Sequence, residues 1–161
     1  MNRNSLLNYL ESEAVEIIRE VAAHFPRTVI LFSGGKDSTV LIHIAEKAFA
    51  PFPVPFPLLH IDTGFKFPIM YKFRDELAKS KKMELIVHRN ESAIALGTNP
   101  FEKGMTYCCQ KLKTEPLLDA MEKFEFDIAI GGARRDEEKS RSKEKIFSLR
   151  DSSGKWNTHQ Q

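Results

Sequence analysis

The hexapeptide Ser33-Gly34-Gly35-Lys36-Asp37-Ser38 combines two hydroxyls, two glycines, a cation and a carboxylate. An apolar run, Thr28-Val29-Ile30-Leu31-Phe32, precedes it, and the helical pattern Thr39 to Lys47 follows. A buried strand running through a glycine turn into a helix aims several backbone N–H groups at one point, and the helix dipole adds partial positive charge there. Phosphate is the commonest biological anion for such a point. Gly34 and Gly35 permit torsions and close approach that a Cβ blocks. Ser33 and Ser38 offer hydroxyl donors, and Lys36 a mobile charge. Asp37 suits either a helix cap or a supporting ligand for a cation. A Walker A loop is excluded, because Ile30 and Asp37 stand where that motif needs glycine and Ser or Thr.

Two further segments carry chemistry. His60-Ile61-Asp62-Thr63-Gly64 puts a carboxylate and a hydroxyl just past an apolar run. Asp62 and Thr63 there suit a ribose or an adenine amine, and equally a plain turn. Gly131-Gly132-Ala133-Arg134-Arg135 is followed by Asp136-Glu137-Glu138-Lys139-Ser140-Arg141. The glycines allow a ligand close to the backbone, and Arg134 and Arg135 can bind oxyanions bidentately. The plainer reading of that charge run is a solvated helix start.

Elements must position these residues. Ser5 to His24 reads as an amphipathic helix, with Leu6, Leu10, Ala14, Ile17, Ile18 and Val21 at helical spacing. Pro51, Pro53, Pro55 and Pro57 predict a stiff extended connection. Strands are expected at 28–32, 58–62, 84–88 and 127–131, with a short strand at 146–149. Helices are expected from Pro68 to about Lys81 and from Gln110 to Phe124, the latter interrupted by Pro116. The polar stretch 90–107 shows little periodicity and reads as a long loop. Strands alternating with helices imply a three-layer α/β/α fold with a mostly parallel, Rossmann-like sheet. Ligands bind such sheets beyond the carboxyl ends of the strands, and all three chemical segments follow strands.

Composition narrows the class. A 161-residue chain suffices for one core, here expected over 1–150 with a polar tail at 151–161. A net charge of +2 gives no electrostatic case for nucleic acid. Apolar runs are strand-length, so no membrane partner is expected. The N-terminus has no apolar signal core. The two cysteines, Cys108 and Cys109, are adjacent, which argues against a disulfide scaffold and for a reducing cytoplasm.

The hexapeptide resembles the pyrophosphate-binding loop of ATP pyrophosphatases and PAPS reductases. Over most of its length the chain resembles the small, catalytic subunits of bacterial ATP sulfurylases. Those belong to the PAPS reductase family within the adenine nucleotide α-hydrolase superfamily. The likeness rests on Ile17 to Ala22, Pro57 to Gly64, Asn99-Pro100-Phe101, Lys113-Thr114-Glu115 and, most specifically, Gly131 to Arg141.

The resemblance implies adenylylation of sulfate by ATP, giving adenosine 5′-phosphosulfate and pyrophosphate. Ser33 to Ser38 would hold the β- and γ-phosphates, with Lys36 among the catalytic groups. Asp62 would fix the nucleoside, and Arg134 and Arg135 would face sulfate or the α-phosphorus. A magnesium ion would bridge phosphate oxygens, with Asp37 its candidate protein ligand. A GTPase large subunit is the implied partner.

Two departures qualify the resemblance. Those subunits usually carry Ile at the position of Gly34 and lack cysteines at that of Tyr107 to Lys111. Cys108-Cys109 followed by Lys111 to Leu117 resembles iron–sulfur APS and PAPS reductases instead. A cluster normally takes four thiolates, so none is expected here, and the pair is read as a structural helix start. A thiol-dependent reductase or sulfur-transfer enzyme is the second reading. The family also continues well past the position of Trp156, so a shortened, non-catalytic nucleotide-binding module is the third.

Overall fold

The computed structural model describes residues 3–133 and 145–150. The charge run from Arg134 to Arg141 and the tail 151–161 lie outside the described residues. The chain divides into two compact units. The first holds residues 1–60, 65–87 and 125–132, and the second 61–64, 88–124 and 133–161.

In order, the elements are α1 (Arg3–His24), β1 (Thr28–Leu31), α2 (Lys36–Phe49), β2 (Leu58–Ile61), α3 (Pro68–Ser80) and β3 (Leu85–His88). Then come α4 (Glu91–Ala95), α5 (Pro100–Lys103), α6 (Met105–Cys109), a π-helical turn (Gln110–Thr114), α7 (Glu115–Lys123) and β4 (Ile128–Ile130). The four strands form a parallel sheet in the order β3-β2-β1-β4, flanked by helices, as the alternation predicted. Ile30 pairs with Leu58 across one edge of β1 and with Ile130 across the other.

Strand alternation sorts the first unit's core. Ile30, Phe32 and Leu58 pack with Ile18 of α1, with Leu41, Ile42, Ala45 and Ala48 of α2, and with Ala78 of α3. Val29 and Leu59 point the other way and are buried too. A sheet covered on both faces explains why β1 and β2 read as continuous apolar runs rather than alternating ones. Burying each large aliphatic side chain here is worth about 1.5–3 kcal/mol. The apolar stripe of α1 is buried only in its second half, at Ile18 and Val21, while Leu6 and Leu10 are exposed.

The proline-rich connection departs from the extended reading. It turns at 50–52, where the Ala50–Pro51 peptide is cis and Phe52 N–H donates to Phe49 O at 2.8 Å, and it bends again at 55–56. Phe56 is buried against the core and stacks edge-on with Phe49. Side-chain burial thus overrides the stiffness that alternating prolines suggested.

The second unit corrects three expectations. Residues 90–107 contain α4, α5 and the start of α6 rather than a loop. Their caps are local: Asn90 Oδ1 accepts from Ala93 N–H, and Asn99 Oδ1 from Phe101 and Glu102 N–H. Helices of four or five residues are too short to show a period, so only the Asn caps and Pro100 marked them. The helix carrying Pro116 starts at Met105 and widens at 110–114, where Glu115 N–H reaches back five residues to Gln110 O. Pro116 lacks an N–H and would crowd the carbonyl four residues earlier; the wider turn precedes it. Lastly, residues 146–149 form no strand: 146 and 147 bend, 148 and 149 are irregular, and a single bridge falls at Arg150.

At the foot of β1, Arg27 Nη2 and Nε donate to the two Asp127 carboxylate oxygens at 2.7 and 3.1 Å, and Asp127 N–H donates to Arg27 O at 2.8 Å. The guanidinium's hydrogen bond, with a smaller contribution from its charge, holds the Asp127 carboxyl below its ordinary pKa. A lowered folded-state pKa gives stability that is full above the unfolded-state value and lost as pH falls through the folded one. The loss in melting temperature caused by Asp127→Asn should therefore be constant near neutrality and vanish in acid. It should be small and shrink with salt, because the pair is exposed. Thermal melts against pH for both proteins check this; a loss that grows in acid would contradict it.

Candidate functional site: the β1–α2 loop

Beyond Phe32 the chain leaves the sheet through Ser33 to Gly35 and enters α2 at Lys36. Gly34 has φ +81°, a conformation that favours glycine. Gly35 occupies the cap of α2 in an extended conformation, and no side chain caps this helix. The first turn of α2 therefore lacks a capping side chain, at the end where the helix dipole favours an anion.

A small hydroxyl network shapes the loop. Gly35 N–H donates to Ser33 Oγ at 3.2 Å. The buried Ser38 hydroxyl donates to Gly35 O at 3.0 Å, and Ser33 Oγ lies 3.1 Å from Ser38 Oγ. A carbonyl only accepts, so Ser38 spends its proton on Gly35 and Ser33 is the donor between the two hydroxyls. Thr39 Oγ1 also donates to Gly35 O, at 2.9 Å. The serines thus brace the turn that presents the amides, a role in addition to the one expected of them as ligand donors.

Lys36 Nζ donates to both oxygens of Asp37, at 3.0 and 2.8 Å. Asp37 lies within the first turn of α2, not at its cap, so the capping role expected of it is not made. A carboxylate there is still favoured by the dipole. Among the described residues, no three His, Cys, Asp or Glu side chains group as metal ligands.

Gly132 joins this site. A Cβ built on it would lie 2.9 Å from Asp37 O and 3.4 Å from Ser38 N. The chain leaving β4 therefore passes directly over the first turn of α2, beside β1 where the strand order reverses, as expected for ligand sites in such sheets. Among the described residues, nothing lies within 4 Å of a Cβ built on Gly131. Arg134 and Arg135 fall outside the described residues.

Two side chains that the sequence did not single out also reach the loop. Lys66 Nζ donates to Ser33 O at 2.9 Å. The His60 ring, 1% exposed, has Nδ1 2.7 Å from Phe32 O. Neither contact has a short-range signature, since each spans about thirty positions.

Asp62, Thr63 and Gly64 belong to the second unit. Asp62 is buried, and its Oδ1 accepts from Gly64 N–H at 2.9 Å, with Gly64 at φ +76°. The turn suggested by the residue types is made. The cysteines close α6 rather than opening a helix. Cys108 is buried against Ala93 and Leu112, Cys109 is half-buried, and both are free thiols.

A parallel sheet flanked by helices, with a glycine loop feeding an uncapped helix, defines a Rossmann-like α/β protein. Solved structures share the fold. A phosphoadenylyl-sulfate (PAPS) reductase from Candida auris superposes with TM-score 0.62 at 18% identity, covering 83% of this chain and 69% of that one. An NH3-dependent NAD synthetase from Campylobacter jejuni gives 0.59 at 14%, covering 81% and 58%. The sequence signature of the phosphoadenosine phosphosulfate reductase domain matches residues 27–157, and the chain belongs to that family. It is 55% identical over 155 residues to a sulfate adenylyltransferase subunit 2 from Photorhabdus laumondii and 54% to one from Yersinia enterocolitica, covering 96% of this chain and 51% of each relative. The chain thus spans about half the length of the curated relatives it matches.

Substitution at the two adjacent glycines separates close approach from loop composition. Gly132→Ala drives a methyl into backbone and should cost about 1–3 kcal/mol of unfolding free energy. Gly131→Ala, with nothing in its way, should cost within about 0.5 kcal/mol. Urea denaturation of both variants checks this, and equal costs would contradict the contact.

Proposed function

We propose that the chain carries the ATP-binding half of a sulfate adenylyltransferase. A sulfate oxygen attacks the α-phosphorus of ATP, the bond to the bridging β-phosphate oxygen breaks, and adenosine 5′-phosphosulfate and pyrophosphate leave. The single observation that carries the reading is the uncapped start of α2 behind Gly34 and Gly35, with Gly132 held against it. The identity to subunit 2 relatives supports sulfate as the acceptor.

In this reading the amides from Ser33 to Ser38 receive the β- and γ-phosphates. Lys36 moves from Asp37 to the leaving group as charge develops there. Preorganised donors at such a point stabilise the transition state without reorganising. Arg134 and Arg135 hold the sulfate or the α-phosphate. Asp37 fits a magnesium ion bound mainly by nucleotide oxygens, since such ions need only one or two carboxylates. That ion would neutralise phosphate charge. The name of the relatives implies a second subunit, and we assign it as a GTPase because adenylylation of sulfate runs steeply uphill without coupled hydrolysis. The free thiols suit a reducing cytoplasm.

ATP-dependent pyrophosphate release, measured with and without sulfate and with the GTPase and GTP supplied, tests the proposal. Lys36→Ala should lower sulfate-dependent release about a hundredfold. Replacing both cysteines by Ser should leave it nearly intact. ATP binding without release would leave a binding module, and loss on cysteine replacement would favour thiol chemistry.

Asp62, just past β2, is assigned to the nucleoside. Asp62→Asn keeps an oxygen for the Gly64 turn but removes the charge, so it should raise the KM for ATP several-fold with the melting temperature unchanged. An unchanged KM would leave Asp62 a turn residue.

A further inference from the structure

Two successive carbonyls at the exit of β1 are each held by a side chain. His60 Nδ1 lies 2.7 Å from Phe32 O, and Lys66 Nζ lies 2.9 Å from Ser33 O. A carbonyl can only accept, so Nδ1 carries the proton of the first bond. The peptide bonds here are trans, because the one cis bond among the described residues is Ala50–Pro51. In a trans peptide the N–H points opposite the C=O of the residue before it. Fixing the Phe32 carbonyl therefore fixes the Ser33 N–H, and fixing the Ser33 carbonyl fixes the Gly34 N–H.

Both bonds come from the chain around the β2–α3 connection, so both N–H groups are turned away from it. Gly34 then reverses the chain at φ +81°, and Gly35 N–H is taken by Ser33 Oγ. The loop's glycines supply freedom, and something must remove it again for the amides to be preorganised. The sheet does this up to Phe32, whose N–H still bonds Leu59 O at 2.8 Å. Helix α2 does it from Gly35, whose carbonyl accepts from Thr39 N–H at 3.1 Å. Between them, the Phe32–Ser33 and Ser33–Gly34 peptides depend on these side chains.

We propose that His60 and Lys66 are positioning residues that clamp the Phe32 and Ser33 carbonyls and so aim the Ser33 and Gly34 amides at the bound phosphates. The phosphate ligand rests on the nucleotide-binding reading; the ordering of the loop does not. His60 acts from inside the core, where a bond to the strand end is shielded from water and cannot be exchanged for one. Lys66 acts from the surface and adds a cation beside the turn.

The test separates shape from donation. Asn places its amide nitrogen near the position of His Nδ1, and Leu is of similar size without a donor. Backbone 15N relaxation of the protein without nucleotide is compared for wild type, His60→Leu, His60→Asn, Lys66→Met and Lys66→Arg. Order parameters at Ser33 and Gly34 should fall from about 0.85 toward 0.6 in His60→Leu and Lys66→Met, and stay high in His60→Asn and Lys66→Arg. Titration with inorganic pyrophosphate should be roughly tenfold weaker in the first pair, the equivalent of one lost hydrogen bond. Unchanged order parameters in His60→Leu and Lys66→Met would overturn the clamp. If His60→Leu does not fold, Lys66→Met decides, because its side chain lies at the surface. A loop that loosens as expected in a protein whose wild type binds neither pyrophosphate nor ATP would uphold the clamp and sink the nucleotide reading.

Discussion

The hydrogen bonds of the β1–α2 loop are arranged around the place where the ladder of β1 runs out. β1 is paired on both edges and buried on both faces, so its backbone is fully committed until Phe32. A chain leaving such a strand must find new partners for its carbonyls within two residues, or leave them desolvated at a cost of about 1–3 kcal/mol each. Three solutions appear in succession: the His60 ring at Phe32, the Lys66 ammonium at Ser33, and the hydroxyl and amide of Thr39 together with the Ser38 hydroxyl at Gly35. The turn then enters the first turn of α2, which no side chain caps. The helix dipole favours negative charge at that point.

The glycines divide this labour. Gly34 is there for its torsion, with φ +81°. Gly132 is there for space, because backbone atoms of Asp37 and Ser38 occupy the volume of its missing Cβ. A side chain at 132 would push the end of β4 off the start of α2, and the two chain segments that frame the switch point would separate. The same glycine pair thus contains one position fixed by packing and one, Gly131, that packing leaves open.

Much of this was legible in the chain. Continuous apolar runs of strand length, separated by helical patterns, pointed to the parallel sheet, because both faces of β1 and β2 are covered and no alternation survives there. The hexapeptide and Gly131-Gly132 were visible because they are local. His60 and Lys66 were not, because His60 reads as one more member of a buried strand and Lys66 as an ordinary charge in a turn; only the pairing of β1 with β2 brings them to the loop. Of the two roles that Asp37 suited, helix cap or cation ligand, the first is excluded because Gly35 occupies the cap. Residues 90–107 looked irregular because four- and five-residue helices are shorter than the window in which a period can be seen. The cysteines were placed at a helix start on the strength of their neighbours, whereas Cys108 fills a small core with Ala93 and Leu112 at the end of α6.

The π-helical turn at Gln110–Thr114 has a geometric meaning for the helix that carries it. A turn closed by a bond to the fifth residue holds one residue more than its α-helical equivalent. Every side chain of α7 is therefore rotated by about 100° from where an uninterrupted α6 would have put it. Removing a single residue between Gln110 and Thr114 would restore a regular turn and leave α7, with Asp119 and its contact to His88, on the face it now presents. The segment is thus a place where one residue of chain length is absorbed within a single turn, so that sequences one residue apart in length there would present the same face of α7.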